Sequence, residues 1–361
     1  MTKMTDLQAA KAFLGNQLLR LSLGGGVIAN RNALSVSASI ASAGRNVHAV
    51  GIGKKLTNGT TNLTLCVRVY VVQKLPLSLL SPRDVIPPMI DGIPTDIIES
   101  EPPFAFAARK TSTKRKPPTS TSAATSSTCT QNRRNLQRPV MGGISAGHRD
   151  ITVGTLGCFC RSTNPLDGTD QLYALSNNHV FANVNAALLG DPLYQPGSAD
   201  GGGIPDFFAT LHRFVPIRLG GVVANRVDAA IGRPLPNTPI NADICTIGNV
   251  SGTVQAQDDM LVRKHGRTTG YTEGRIDDID YTGLVGMDHG DPSVVGLFEN
   301  QLRIVSDGFA PIGLGGDSGS VVLHRTERSV VGLYFAGPPS GLYGLANRIE
   351  HVLSELEVSI P

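Results

Sequence analysis

From Val140 onwards the chain is a series of short apolar, β-branched runs separated by clusters of Gly, Pro, Asn and Asp. Frequent turn residues between short runs are typical of antiparallel barrels and sandwiches, and they leave little room for long helices. The sequence therefore predicts a mainly β fold for residues 138–361, closed by a short helix over residues 349–358. The predicted strands are Ile151–Cys160, Gln171–Ser176, Arg226–Ile231, Ile244–Val250, Met260–His265, Gly274–Ile279, Gln301–Val305, Ser318–His324 and Ser329–Ala336.

The first 137 residues have a different pattern. Residues 6–22 show apolar side chains at helical spacing, and Val47–Lys54, Asn62–Lys74 and Thr95–Glu99 are predicted strands. An Asn-Gly pair at residues 58–59 predicts a hairpin turn between the first two strands. We expect residues 1–101 to form a small α+β domain. Residues 102–137, which combine a Lys/Arg cluster with a Ser/Thr run, are expected to be a flexible basic linker.

Composition excludes several classes of partner. The net charge of +3 is too small to indicate nucleic-acid binding, and no apolar run approaches the roughly 18 residues of a membrane span. Charged and polar residues interrupt the apolar stretch Ala9–Leu23, so no signal peptide is expected. The five cysteines do not resemble a disulfide framework or a metal site. These features predict a cytoplasmic protein without metal or organic cofactor.

The Gly-Gly-Asp-Ser-Gly-Ser sequence at residues 315–320, between two apolar runs, is the strongest chemical signal. Its glycines allow a sharp turn that comes close to a substrate. The N–H groups of Gly316 and Ser318 can converge on one point, which is what a tetrahedral oxyanion requires. The Ser318 hydroxyl is a weak nucleophile until a base accepts its proton. A glycine-rich hairpin with an exposed serine is the alternative interpretation.

His179 is the best candidate for that base, since it follows the apolar run Tyr173–Ser176 and lies where a strand opens into a loop. Asp228 is the best candidate for the carboxylate that orients it. It is predicted inside an apolar strand, where a carboxylate is costly unless it is paired. Asp206 and Asp243 are weaker alternatives. The order His179, Asp228, Ser318 then predicts nucleophilic catalysis by a triad.

In this order of motifs the chain resembles the chymotrypsin-like serine peptidases over residues 138–361. The resemblance implies a double six-stranded antiparallel β-barrel, with barrel 1 at about 138–232 and barrel 2 at about 240–348. It also implies an endopeptidase acting on polypeptides, with catalytic residues His179, Asp228 and Ser318. Within that family the chain is most similar to the plant narrow-leaf group and its bacterial relatives. That similarity implies an intracellular protein that forms homo-oligomers.

The same resemblance suggests a substrate-binding surface. The strand ending at Phe335, Ala336 and Gly337 would pair with the substrate backbone, and Ile312, six residues before Ser318, would form the floor of the specificity pocket. An uncharged floor predicts an apolar or small residue before the cut, because a Lys or Arg side chain would lose its hydration there. His265, in a turn common to bacterial members, is expected to be structural.

Two other functions remain open from the sequence. A protease-like fold can act as a catalytically silent binding module, with residues 1–101 and the linker recruiting partners. The same triad can also serve an esterase. The chain also departs from that family's pattern, because no Ile-Val-type amino terminus is evident at the barrel entry, residues 140–144. An ion pair between a new terminus and Asp317 is therefore not expected.

Overall fold

The computed structural model describes residues 3–19, 46–57, 60–80, 82, 85–105, 129–168, 171–288, 291 and 293–361. Strands predominate in these ranges, which confirms the predicted mainly β class. The strands are β1 Val47–Thr57, β2 Thr60–Val71, β3 Met89–Ile90, β4 Ile93–Glu99, β5 Val140–Gly142, β6 Ile144–His148, β7 Gly154–Leu156, β8 Cys158–Ser162, β9 Leu172–Ser176, β10 Pro192–Tyr194, β11 Phe207–Phe214, β12 Ala224–Asn225, β13 Ala230–Pro234, β14 Ile240–Ile244, β15 Gly248–Asn249, β16 Leu261–Gly266, β17 Gly270–Gly286, β18 Val295–Ser306, β19 Val321–His324, β20 Val330–Ala336, β21 Tyr343–Arg348 and β22 Val358–Ser359. The helices are α1 Met4–Leu18, α2 Cys129–Asn132, α3 Asn178–Phe181 and α4 Ile349–Leu356, with 3-10 turns at Leu77–Leu79, Pro165–Asp167, Ser198–Asp200 and Ile204–Asp206.

The first half of the β region is an antiparallel sheet in the order β22-β8-β9-β13-β11-β10-β6-β7. Gly157 alone separates β7, at one end of that order, from β8, near the other end, so the sheet must curl round on itself. Apolar side chains that include Phe159, Phe181, Leu193 and Phe208 fill its interior. This is barrel 1.

The second half closes into a ring. β16 pairs with β17, β17 with β18, β18 with β21, β21 with β20, β20 with β19, and β19 with β16, all antiparallel. Six strands closed in this way leave no free edge within the ring. Val262, Ile276, Ile304 and Val331 belong to the apolar cluster inside it. The six-stranded barrel 2 predicted from the sequence is thus present.

The two barrels meet through glycines. A side chain on Gly154 would collide with Val180 and lie 3.1 Å from the carbonyl oxygen of Ser318, and one on Gly157 would collide with the carbonyl of Gly319. Backbone therefore packs directly against backbone at the barrel interface. The helix–strand junction that carries His179 and the turn that carries Ser318 are brought to the same seam.

The N-terminal strands extend the sheet of barrel 2. β17 is 17 residues long and projects beyond the ring, where Ala49 and Val50 of β1 pair with Gly283 and Thr282. β2, β4 and β3 then follow β1 in the same sheet. The predicted turn at residues 58–59 lies outside the described residues. Residues 1–101 remain a predicted domain, but their described strands share a sheet with barrel 2.

The ends of the predicted linker, residues 102–137, contact the barrels, while residues 106–128 lie outside the described part of the chain. Phe104 bridges Gly286 and Gly337. On the other side, Cys129 forms a disulfide with Cys245. The expectation that the cysteines form no disulfide is therefore wrong at this pair. Sequence spacing missed it because 116 residues separate the two cysteines, which only the fold brings together.

The other element boundaries differ modestly from the prediction. α1 ends at Leu18, and α4 ends at Leu356, where Glu357 adopts a left-handed backbone conformation. Leu7, Ala10 and Leu14 of α1 are buried as expected, whereas Phe13 is exposed. Among the described residues no helix has the length and apolar character needed to cross a membrane.

Candidate active site

His179 lies in the single-turn helix α3, directly after β9 ends at Ser176. The side-chain amide of Asn177 donates a hydrogen bond of 2.7 Å to the backbone carbonyl of Asp228, which ties this turn to the segment before β13. His179 is only 1% exposed. The strand end therefore presents the imidazole from a rigid, buried position.

Asp228 lies two residues before β13, whereas the sequence analysis placed it inside a strand running over residues 226–231. Its carboxylate is fully buried and forms a short contact with Nδ1 of His179 through Oδ2. Its second oxygen, Oδ1, accepts the backbone N–H of His179 at 3.1 Å. Two bonds from one carboxylate fix both the ring and the backbone of the histidine. They assign the proton to Nδ1 and leave Nε2 as the acceptor.

A chain of amide side chains, which the sequence analysis did not identify, supports Asp228 from behind. The Asp228 N–H donates to Oδ1 of Asn347 at 3.0 Å, and Nδ2 of Asn347 donates to Oε1 of Gln301 at 2.7 Å. Gln301 in turn donates to the carbonyl of Arg226 at 2.8 Å. The sequence signal that could have found them is an amide among apolar residues, Asn347 in β21 and Gln301 in β18. Both are fully buried in the structure, and a buried amide requires hydrogen-bond partners.

Ser318 lies in the turn between Asp317 and β19, and its side chain is 1% exposed. Its backbone carbonyl accepts the N–H of Thr155 in barrel 1 at 2.7 Å. Its hydroxyl donates to the carbonyl of Phe335 at 3.1 Å rather than to the imidazole. Nε2 of His179 is buried and has no hydrogen-bond partner among the described residues. The structure thus brings Asp228 and His179 together but leaves Ser318 turned towards Phe335.

Two threonine hydroxyls hold the turn before Ser318. The carbonyl of Gly315 accepts a hydrogen bond of 2.6 Å from Oγ1 of Thr268, and the carbonyl of Gly316 accepts one of 2.8 Å from Oγ1 of Thr155. In a trans peptide the N–H points opposite to the preceding carbonyl, so Thr268 turns the Gly316 N–H away from itself. Neither that N–H nor the N–H of Ser318 donates to another described residue.

Gly316 is required at its position because its φ of +98° lies in the left-handed region. A side chain there would also lie 2.6 Å from Oγ1 of Thr268. Backbone conformation and crowding by Thr268 therefore both demand glycine.

Asp317 forms an ion pair with a lysine of the same chain. Lys264 Nζ lies 3.5 Å from Oδ2 of Asp317, and both side chains are almost fully buried. The same carboxylate accepts the backbone N–H groups of Thr268, Thr269 and Leu314 at 2.7, 3.1 and 2.9 Å. Burial lowers the pKa of Lys264, and the Asp317 charge opposes that shift. The positive charge that an activating amino terminus would place beside Asp317 is supplied here by Lys264 of β16.

The predicted pocket floor, Ile312, is buried in the barrel 2 core, where its N–H donates to the carbonyl of Gly341 at 3.0 Å. The nearby space is taken by the ring of Tyr334. Side chains built on Gly313 and Gly337 would lie 2.6 and 2.9 Å from the Tyr334 hydroxyl, and one on Gly344 would collide with the ring. That hydroxyl has no hydrogen-bond partner among the described residues.

The predicted substrate-pairing residues Phe335, Ala336 and Gly337 lie where β20 ends, and Phe335 and Ala336 are fully buried. The Gly337 N–H donates to the carbonyl of Phe104 at 3.0 Å, and its carbonyl accepts the Phe104 N–H at 2.9 Å. Both backbone groups of Gly337 are therefore already paired with another part of the chain.

The other candidate residues lie away from this arrangement. Asp206 accepts the N–H of Gly203 within its own turn, and Asp243 lies in β14 beside β15. His265 is buried and bonded through Nδ1 to the carbonyl of Gly143 at 2.9 Å, and burial lowers its pKa to about 4. These contacts agree with a structural His265. No group of three or more His, Cys, Asp or Glu side chains in the described ranges is placed to bind a metal ion.

No protein-family model matches the chain, and no curated protein does. Among solved structures, Thermobifida fusca protease A is 17% identical with a TM-score of 0.43, covering 61% of this chain and 97% of that one. Cellulomonas bogoriensis chymotrypsin is 16% identical with a TM-score of 0.41, covering 62% and 98%. A Nocardiopsis protease is 17% identical with a TM-score of 0.42, covering 61% and 98%. These structural neighbours are chymotrypsin-like serine proteases, but similarity at this level assigns no activity to this chain.

Proposed function

We propose that the protein is a serine endopeptidase that hydrolyses polypeptides through Ser318, His179 and Asp228. The observation that carries the proposal is the buried His179–Asp228 pair. Asp228 occupies Nδ1, so the unpartnered Nε2 is the only ring atom left to accept a proton. A buried imidazole nitrogen without a partner is costly. The Ser318 hydroxyl, by rotating towards Nε2 during the reaction, would supply the hydrogen bond that this nitrogen lacks.

In the proposed reaction the Ser318 hydroxyl leaves the Phe335 carbonyl by a side-chain rotation and donates to Nε2 of His179. The serine oxygen attacks the scissile carbonyl as His179 takes the proton, and Asp228 stabilises the resulting imidazolium. The N–H groups of Gly316 and Ser318, which have no acceptor among the described residues, bind the oxyanion. His179 then protonates the leaving amine. Water attacks the acyl-enzyme as His179 accepts its proton, and His179 returns that proton to the Ser318 oxygen as the carboxylic acid leaves.

We expect the residue before the cut to be apolar or small. Ile312 and Tyr334 offer no charge to a Lys or Arg side chain, and the nearest upstream acid, Asp307, is paired with Arg325 at 2.7 Å. The Tyr334 ring also limits the depth of the proposed pocket. A cationic side chain would be desolvated there at a cost of several kcal/mol, so a dominant preference for Lys or Arg in a peptide library would refute the mapping of the pocket.

The finer assignments are also proposals. The relationship to the narrow-leaf group and the homo-oligomeric state are proposals that only the sequence motifs support. The cytoplasmic location stays a prediction, and the Cys129–Cys245 disulfide argues against it because disulfides persist mainly in oxidising compartments. Mass spectrometry of the protein from its native cells, alkylated before reduction, measures how much of this pair is oxidised.

Hydrolysis of casein by the purified chain tests the proposal. Alanine substitutions at Ser318, His179 and Asp228 should each remove most of the turnover, with double variants scarcely worse, because the three residues act as a unit. Undiminished turnover in Asp228→Ala would refute the role of Asp228 as the orienting carboxylate. Hydrolysis of ester substrates without peptide hydrolysis would instead indicate an esterase.

The silent binding module remains the second candidate. The observation that favours it is the bond from Ser318 to Phe335, which leaves nucleophile and base unconnected. A module of this kind would show no turnover and no covalent labelling of Ser318.

A further inference from the structure

The segment Glu101–Ala105, which we call the strap, pairs through Phe104 with the ends of two strands of barrel 2. It lies between the ends of β17 and β20, pairing with Gly286 on one side and with Gly337 on the other. The Ala105 N–H donates to the carbonyl of Gly286 at 2.9 Å, and the Gly286 N–H donates to the carbonyl of Pro103 at 3.1 Å. Phe104 forms the two bonds to Gly337 described above. Both backbone groups of Gly286 and both of Gly337 are therefore paired with the strap.

The direction of the strap relates it to the nucleophile. Phe104 and Gly337 pair in antiparallel fashion, so a peptide bound in the register of Phe104 would run antiparallel to β20. The second position beyond the one opposite Gly337 falls opposite Phe335, whose carbonyl accepts the Ser318 hydroxyl. An extended peptide in this register therefore approaches Ser318 with its carboxyl-terminal side leading.

The strap is held at its outer end as well. The Tyr343 hydroxyl donates to the carbonyl of Glu101, and the Ser340 hydroxyl donates to its carboxylate, both at 2.7 Å. Ala105, at the inner end, packs in the apolar cluster that contains Phe335 and Phe298. The two prolines between these anchors have no N–H to satisfy, which suits a segment whose donors are limited to the paired positions.

We propose that the strap occupies, within the same chain, the edge to which the backbone of a polypeptide substrate pairs, so that strap and substrate compete for Gly337. This inference rests on the proposed function. Two observations support competition: both hydrogen-bonding groups of Gly337 belong to Phe104, and His179 and Ser318 are each only 1% exposed. The ligand class of this edge is an extended peptide, and Pro-Phe-Ala is the sequence that it holds here.

The test compares a long and a short substrate on the full chain. Phe104→Pro removes the N–H that bonds to Gly337, while Phe309→Pro makes the same change at an exposed phenylalanine in the loop after β18. If the edge is free in about a tenth of the molecules or fewer, releasing the strap lowers KM for an extended apolar tetrapeptide anilide about tenfold or more. The rate with p-nitrophenyl acetate, too short to reach Gly337, should stay unchanged, and Phe309→Pro should match wild type with both substrates.

A second variant covers the case in which Phe104→Pro does not fold, as judged by circular dichroism. Glu101→Ala loses only the bond to Ser340 at the rim, and we expect a smaller decrease of KM in the same direction. An unchanged or higher KM for the long substrate in the folded variants would overturn the competition and make the strap a permanent structural strand.

A binding measurement separates failure of the strap from failure of the enzyme. In a Ser318→Ala background, fluorescence polarisation follows a labelled Glu-Pro-Pro-Phe-Ala amide. The peptide should bind the Phe104→Pro or Glu101→Ala chain at least severalfold more tightly than the chain with an intact strap. If the peptide binds the strap variants more tightly but the chains that retain Ser318 show no turnover, the competition by the strap stands and the peptidase activity is rejected. Equal affinity, or no binding to the variants, would reject the strap.

Discussion

At the scale of single residues, Thr268 holds the peptide that precedes Gly316. Its hydroxyl donates to the Gly315 carbonyl at 2.6 Å, and we propose that this directs the next N–H towards the oxyanion. Thr268→Val keeps the shape but frees this peptide to flip. Complete loss of one oxyanion donor lowers kcat by about 10²–10³. A Gly316 N–H that is still present but no longer held in one orientation should lower kcat about tenfold, with KM nearly unchanged. Thr268→Ser should retain activity, and equal loss in both variants would contradict the role of the hydroxyl.

Tyr334 is the residue expected to limit the substrate pocket, because three glycines make room for its ring. Tyr334→Val vacates that space and removes a hydroxyl that lacks a partner among the described residues. We expect the preference before the cut to move from small residues towards Leu, Met or Phe. Profiling with a peptide library, with thermal unfolding of both proteins as control, measures the shift. An unchanged profile would place the pocket elsewhere.

At the scale of elements, the contact between β1 and β17 contains a buried acid. Asp278 accepts the N–H of Ile52 at 3.0 Å and the Tyr70 hydroxyl at 2.7 Å, and burial raises its pKa to about 6. Between about pH 4 and pH 6 the folded chain therefore binds more protons at this site than the unfolded chain. The free energy of unfolding falls as pH rises through that window, by roughly 2–3 kcal/mol for a shift of this size.

Asp278→Asn removes this titration while keeping an oxygen that can accept the N–H groups of Ile52 and Asp280. Relative to wild type, the variant should gain free energy of unfolding as the pH rises from 4 to 7, which urea denaturation at several pH values measures. The surface pair Arg325–Asp307 offers a matched control, since Asp307→Asn changes an exposed acid. A difference that stays constant from pH 4 to pH 7 would contradict the buried titration.

The elements also show what the sequence could and could not predict. The motifs around His179, Asp228 and Ser318 are local, so residue type and order were enough to select them. β17 was predicted over residues 274–279 only, although the strand runs from Gly270 to Gly286 and contains Asp277, Asp278 and Asp280. Those acids are tolerated because Arg68, Tyr70 and Lys11 of the N-terminal region bind them. Partners so distant along the chain are invisible to a local pattern, as are Thr268 and Asn347.

At the scale of the whole molecule, the N-terminal region and barrel 2 should behave as one unit. Leu7, Val50 and Val69 share an apolar cluster with Leu284 and Leu297 of barrel 2, and β1 pairs with β17. The basic residues at 109–116 offer several sites for trypsin. We expect brief digestion to cut there, and both fragments to elute together in size-exclusion chromatography while separating on a denaturing gel. Separate elution of the native fragments would show that the two regions are independent domains.

The central claim is that His179 activates Ser318 as a nucleophile, and covalent labelling by a fluorophosphonate tests it most directly. The account predicts one phosphonyl adduct, located on Ser318 by peptide mass spectrometry, absent in Ser318→Ala and formed at least about 10²-fold more slowly in His179→Ala. The strap variant Phe104→Pro should be labelled at the same rate as wild type, because a small probe, like p-nitrophenyl acetate, does not depend on pairing with Gly337. No adduct on Ser318 in either protein, or equal labelling in His179→Ala, would contradict the account.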